Sequence, residues 1–188
     1  DLNVARPTFD ILAFLCLAEN ARRRQGLDAV HLVVVPPALN EFNQQLLPVI
    51  PVEEQRWRVQ QILLPAASLL PTSAGVTLLP SRELVSALDW RGQVFPTGYS
   101  EQRPLALWDF EHVVDSVAQG DEIRWLQASP AAQGMLHRWM VESVPPQRKV
   151  VTITLRDSTL QQARNSNLED WYRFIEQPDR QQYFPVVI

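Results

Sequence analysis

The segment Ala29-Val30-His31-Leu32-Val33-Val34-Val35 limits the fold of this chain more than any other. It is too short for an independent helix, rich in β-branched residues, and closed by Pro36-Pro37. A near-continuous apolar run of that length reads as a strand covered on both faces, the environment of a parallel sheet. Parallel strands require crossover connections, usually helical. The preceding residues fit that requirement. Phe9, Ile11, Leu12, Phe14, Leu15, Leu17 and Ala18 spread around most of a helix expected over about 8–24. Thr8 is its expected N-cap, Asp10 lies in the first turn, Arg22, Arg23 and Arg24 crowd the last, and Gly26 is a natural stop.

The alternation continues along the chain. Residues 38–51 read as irregular. A helix follows over about 53–64, with Glu54 and Arg58 spaced to pair. A strand is expected over 76–79, a short helix capped by Ser81 up to Leu88, and a strand at Val94-Phe95. Further helices are expected over about 107–118 and from Ser129-Pro130 onward, the latter with Ala132, Met135, Leu136, Trp139 and Met140 as its buried stripe. A buried strand over 149–155, a helix over 167–176 and a last strand over 183–188 complete the series. Helices alternating with short apolar strands predict an α/β class, with a Rossmann-like layered fold and a largely parallel sheet. Pro145-Pro146 is the candidate boundary. Residues 1–146 then form an N-terminal Rossmann-like domain, and 147–188 begin a second one that breaks off early.

Composition narrows the partners. The chain has 188 residues, 46% of them hydrophobic and 20% charged, enough apolar material for a real core. A net charge of −4 argues against coating a polyanion, so no nucleic-acid partner is expected. The single cysteine, Cys16, lies between Leu15 and Leu17 and reads as a buried small hydrophobe. No disulfide framework, signal peptide, glycosylation acceptor or membrane-length apolar run is visible, which favours a cytoplasmic protein without a transmembrane segment. Lys149 is the sole lysine. The arginine bias has two readings: composition drift, or planar forks suited to phosphate and carboxylate.

The chemistry concentrates in three places. The first is the loop after the 149–155 strand, carrying Arg156 and Asp157 and then Arg164, Asn165, Ser166 and Asn167 before the next helix. In open α/β sheets ligands bind beyond the carboxyl ends of strands, and helix N-termini favour anions. Arg156 and Arg164 could hold a diphosphate there. They could equally pair with Asp157 or Asp170 while Ser166 and Glu169 form a capping box. The second place is the N-terminal loop with Asn3, Arg6, Thr8 and Asp10, and the third is the turn Thr97-Gly98-Tyr99. Both could line the ligand crevice or be plain connections. The histidines offer little: His31 reads as a core residue, and His112 with Asp109 and Asp115 as a solvated helix face. No zinc cluster, glycine-rich phosphate loop or nucleophile elbow is present, and no metal or resident cofactor is expected. Trp57, Trp139 and Trp171 occupy helical stripe positions and read as core.

These pieces resemble bacterial glycosyltransferases of the GT-B type, particularly the fucosyltransferase-like group and related surface-polysaccharide proteins. The resemblance rests on the polar loop feeding a buried helix (Asn3 to Leu17), the strand ending Val33-Val34-Val35-Pro36, and above all Thr152-Ile153-Thr154-Leu155-Arg156-Asp157. The last is similar to the strand-plus-arginine that opens the donor domain in that group. The resemblance implies two Rossmann-like domains, a nucleotide-diphosphate sugar as donor and a glycan or other acceptor. It also implies that Arg156 contacts the donor pyrophosphate while Arg164 to Asn167 line the pocket. Catalysis would then be positioning and leaving-group charge stabilisation without a metal, and Asp10 is the one candidate base. The rival reading is a non-catalytic α/β binding or assembly protein.

Overall fold

The computed structural model describes residues 1–38, 51–88, 93–105, 110–157, 162–176 and 181–188. The irregular stretch expected over 38–51 lies almost wholly outside the described residues, as do the helix start at 107–109 and Asp109 itself. The chain divides into two compact units, Asp1–Ser129 and Pro130–Ile188. The division precedes Pro145-Pro146, so the helix that starts at Pro130 goes with the second unit.

The first unit is organised around α1 (Ile11–Arg24), in which Leu15 through Ala21 are all buried. A helix buried on every side must satisfy any polar residue it carries. Its stop is local. Gly26 adopts φ +65, and the Gly26 and Leu27 N–H groups donate to the Arg23 and Arg22 carbonyls, a Schellman ending. Its start is later than Thr8. Asp10 occupies the N-cap position, and the Thr8 hydroxyl donates to the Asp10 carboxylate at 2.6 Å.

β1 (Val30–Val34) pairs in parallel with β2 (Ser73–Leu78). The register shifts between Val30 and His31, where Ala74 becomes the extra residue. Gly75, at φ +131, accommodates that bulge beside His31. The crossover is α2 (Val52–Arg58), a π turn (Val59–Leu63) and α3 (Leu64–Ala67). Pro65 lacks the N–H that would bond one turn back, and its ring displaces the carbonyl there, which accounts for the widened turn just before it. Leu32 and Val34 pack on Leu63 and Ala67, with Ile11 and Phe14 of α1 against the same cluster. The other sheet face carries His31 and Thr77. His31 is exposed and hydrogen-bonds Thr77 Oγ1 at 2.8 Å, so neither the doubly covered strand nor a core His31 is found. Val94-Phe95 forms no strand, and Trp57 is exposed rather than core. A 3₁₀ helix (Arg82–Ala87) follows β2, and α4 (Phe110–Ala118) follows that.

The second unit contains α5 (Pro130–Ser143), β3 (Lys149–Ile153), α6 (Leu168–Glu176) and β4 (Tyr183–Val187). β3 and β4 pair in parallel from Lys149↔Tyr183 to Ile153↔Val187. Pro185 is tolerated because a two-stranded sheet leaves one side of each strand unpaired. The expected burial is not found. Neither helix contains a buried residue, Met135 is 63% and Tyr172 57% exposed, and Ile153 is the one buried position of β3. Two strands and two helices provide little surface to cover an apolar stripe. Each unit thus holds a β–helix–β crossover, in keeping with the α/β class, and the sheets among the described residues are two-stranded. No helix among those residues is long and apolar enough to cross a membrane.

Glu19 ties α1 to the amino end of the sheet. It is bound by Arg22 at 2.8 Å and by the Thr72 hydroxyl at 2.6 Å, and Thr72 O accepts from Val30 N. The Arg22 bond holds the Glu19 carboxyl below its ordinary value of 4.5, against the opposing effect of burial and with further help from Thr72. A carboxyl depressed in the folded state contributes stability that is present above its unfolded pKa and lost as pH falls through the folded value. Stability should therefore decline below pH 4.5. Glu19→Gln is expected to flatten that part of the curve of denaturation midpoint against pH, and Thr72→Val to leave the direction unchanged with a smaller slope.

Candidate functional site

The carboxyl ends of β1 and β2 carry a buried polar cluster. Leu2 N–H donates to Val35 O at 2.9 Å, which brings the N-terminal loop against the end of β1. This places the Asp1 carboxylate, 1% exposed, beside Arg82 from the 3₁₀ helix after β2. The pair is bidentate, with Arg82 Nη1 to Asp1 Oδ1 at 2.8 Å and Nη2 to Oδ2 at 2.6 Å. Arg82 also donates to Pro36 O at 3.1 Å and Glu101 O at 3.0 Å. The Tyr99 hydroxyl donates to Asp1 Oδ2 at 2.8 Å, and Asn3 N–H to Oδ1 at 2.9 Å. Asn3 Oδ1 in turn accepts from Ala38 N–H at 2.8 Å. Burial pushes the Tyr99 phenol up, with Arg82 opposing.

Two of the three places singled out in the sequence therefore meet. Asn3 and Tyr99 converge on one carboxylate, and Phe14 packs in a tilted arrangement on Phe95, with ring centroids 5.3 Å apart, just ahead of the turn. The rest of that group stands apart from the carboxylate. Thr97 and Gly98 are exposed, with Gly98 at φ +84. Arg6 is half-buried, with an unpartnered Nε. Asp10 is exposed and held by Thr8. Asp1 and Arg82 are the residues sequence reasoning missed. The available signal was position, since Arg82 follows the end of β2 by one short turn. With each Asp1 oxygen accepting two donors, the carboxylate is filled. The cluster is a strut that fixes three loops at the carboxyl end of a parallel strand pair.

The second locus is the loop after β3. Arg156 N–H donates to Ser166 Oγ at 2.9 Å, and Ser166 N–H to Arg156 O at 2.8 Å. This two-point clasp brings the strand end to the start of α6. It also takes Ser166 out of the capping role expected for it. Asn167 is the N-cap, its Oδ1 accepting from Asp170 N–H at 3.4 Å and its Nδ2 donating to the Asp170 carboxylate at 2.5 Å. Asn165 Nδ2 reaches Asp157 Oδ1 at 3.4 Å. Arg164 closes a short 3₁₀ turn (Gln162–Arg164) and is exposed. The clasp thus places Arg156, Ser166 and Asn167 at the β3–α6 junction, with Arg164 and Asn165 in the turn leading to it. Among the described residues there is no group of three or more His, Cys, Asp or Glu side chains that could hold a metal ion.

No family model, curated protein or solved structure matches this chain.

Removing one partner of a buried ion pair strands the other charge. Arg82→Met should cost about 3–5 kcal/mol of stability. Tyr99→Phe, which removes one donor of several, should cost about 1.5 kcal/mol. Urea denaturation gives both as midpoint shifts at constant slope, and an Arg82→Met midpoint equal to the parent's would contradict the strut.

Proposed function

We propose that this chain is a glycosyltransferase that takes a sugar from a nucleotide-diphosphate donor and passes it to a glycan or other acceptor. On this reading each unit is the core of a Rossmann-like domain. The observation that carries it is the clasp between Arg156 and Ser166. It sets an arginine at the carboxyl end of a parallel strand and beside a helix start, the location where α/β proteins bind phosphates.

In this reading Arg156 and Arg164 supply fixed positive charge to the donor diphosphate, and Asn165, Ser166 and Asn167 line its path. The leaving nucleoside diphosphate develops charge as the glycosidic bond breaks, and guanidinium forks stabilise it most where they are already positioned. Ser166 holds the Arg156 backbone, so the position of that residue is set before the donor arrives. Glu169 and Asp170 in the first turn of α6 would repel that anion, and Arg173 offsets them by pairing with both. Asp10 has the exposure a base needs, and its bond to Thr8 fixes its direction.

A binding or assembly role is the second reading. It is favoured by α4, where Phe110, Val114 and Val117 recur at helical spacing and are 76%, 62% and 47% exposed. An exposed apolar stripe of that kind suits a protein partner better than a sugar.

Thermal shift with a panel of nucleoside diphosphates and their sugars separates the two. A ligand at about 100 times its Kd adds about 2.7 kcal/mol to the folded state. One nucleotide is expected to raise the Tm of the parent, with the rise lost in Arg156→Ala and reduced in Arg164→Ala. A parent that no nucleotide stabilises would favour the binding role.

A further inference from the structure

Beyond the end of α4 the chain turns at Gly120, φ +87, and then runs from 121 to 129 without helix or strand. It stays on the first unit through side chains. Trp125 Nε1 donates to Asn20 Oδ1 at 2.7 Å, and Asn20 Nδ2 donates to Ser116 Oγ at 3.1 Å. Ser116 Oγ donates to the Asp121 carboxylate at 2.5 Å, which also takes Arg24 at 2.6 Å. The Arg23 guanidinium sits 4.5 Å over the Trp125 ring. Cys16 Sγ donates to Ile123 O at 3.2 Å, and Gln127 N–H to Leu69 O at 2.7 Å. Trp125 and Leu126 cover the cluster of Leu15, Ala66 and Leu70.

Asn20 is the centre of this arrangement. Its amide is 3% exposed, and it uses its carbonyl toward the extended segment and its amino group toward α4. A buried amide specifies where its partners lie, because leaving it unsatisfied is costly. The segment itself has no strand partner. Ile123, Arg124 and Gln127 are exposed, and Arg124 pairs with Glu122 of the same segment. Segments with few backbone partners and high exposure open at lower free energy than the core beneath them.

We propose that residues 121–128 form a releasable strap, which closes over one face of α1 through the Asn20 network and opens as a local unit while the rest of the first unit stays folded. Opening uncovers Cys16 and the Leu15, Ala66 and Leu70 cluster. It also converts a sealed apolar face into an accessible one.

Cys16 is the sole cysteine, so alkylation reports the exposure of that one thiol. In the closed state the thiol is buried, and burial pushes its pKa up, so reaction proceeds through the open form. The experiment follows Cys16 labelling by iodoacetamide across a urea series, beside unfolding by circular dichroism. Labelling is expected below the unfolding transition, with a shallow urea dependence. Trp125→Phe should accelerate it about tenfold, the loss of roughly one buried hydrogen bond, without steepening its urea dependence. Labelling of the parent that tracks global unfolding at every urea concentration would overturn the strap. So would a rate unchanged by Trp125→Phe.

Discussion

The first unit depends on one helix being buried along its middle on every side. Leu15 through Ala21 admit no solvent, so each neighbour of α1 is specified by what those residues need. Leu15 requires an apolar face and takes Ala66 and Leu70. Glu19 requires donors and takes Arg22 from its own turn and Thr72 from the entrance of β2. Asn20 requires one donor and one acceptor and takes Trp125 and Ser116. The sheet, α4 and the 121–128 segment are thereby placed by three kinds of satisfaction acting from adjacent positions. Burying the two polar residues adds little net stability, but a wrong neighbour would leave a polar group unpaired at several times that cost.

The two ends of the β1–β2 pair are braced differently. Glu19 braces the amino end by a contact within α1 and one to Thr72. Asp1 and Arg82 brace the carboxyl end by a contact between residues far apart in sequence, extended by Tyr99 and Asn3. The carboxyl end is where this class of fold receives ligands. There the loops are held by a saturated ion pair. In the second unit the corresponding edge is held by a neutral clasp between Arg156 and Ser166, and no carboxylate takes part in that clasp.

What the sequence made legible follows the range of the interaction. β1 and the end of α1 at Gly26 are local events, governed by β-branching, proline and a left-handed glycine, and they are found within a residue or two of expectation. The alternation of helix and strand is likewise found, in two parallel pairs. Burial was less legible. The stripes of α5 and α6 have the right period, but period says only which residues share a face, and nothing about whether a partner covers it. The same holds for His31, which is exposed on its strand. At the candidate sites, Asn3, Tyr99, Arg156 and Ser166 were visible as polar residues in loops next to strands. Arg82 and Asp1 were not, because their pairing has no signature at any fixed spacing. The cap of α6 moved from Ser166 to Asn167 for a related reason, as the serine is drawn away by the backbone of Arg156.

Amide hydrogen exchange under native conditions tests the organising role of α1 most directly. Groups buried by every neighbour can exchange only when all those neighbours separate, so the amides of Leu17 through Ala21 should be the slowest in the first unit and should exchange with the free energy of its global unfolding. The β1–β2 amides should exchange as fast or faster. If the strand pair retained protection after α1 had exchanged, the unit would be built on its sheet, and the account given for α1 would be wrong.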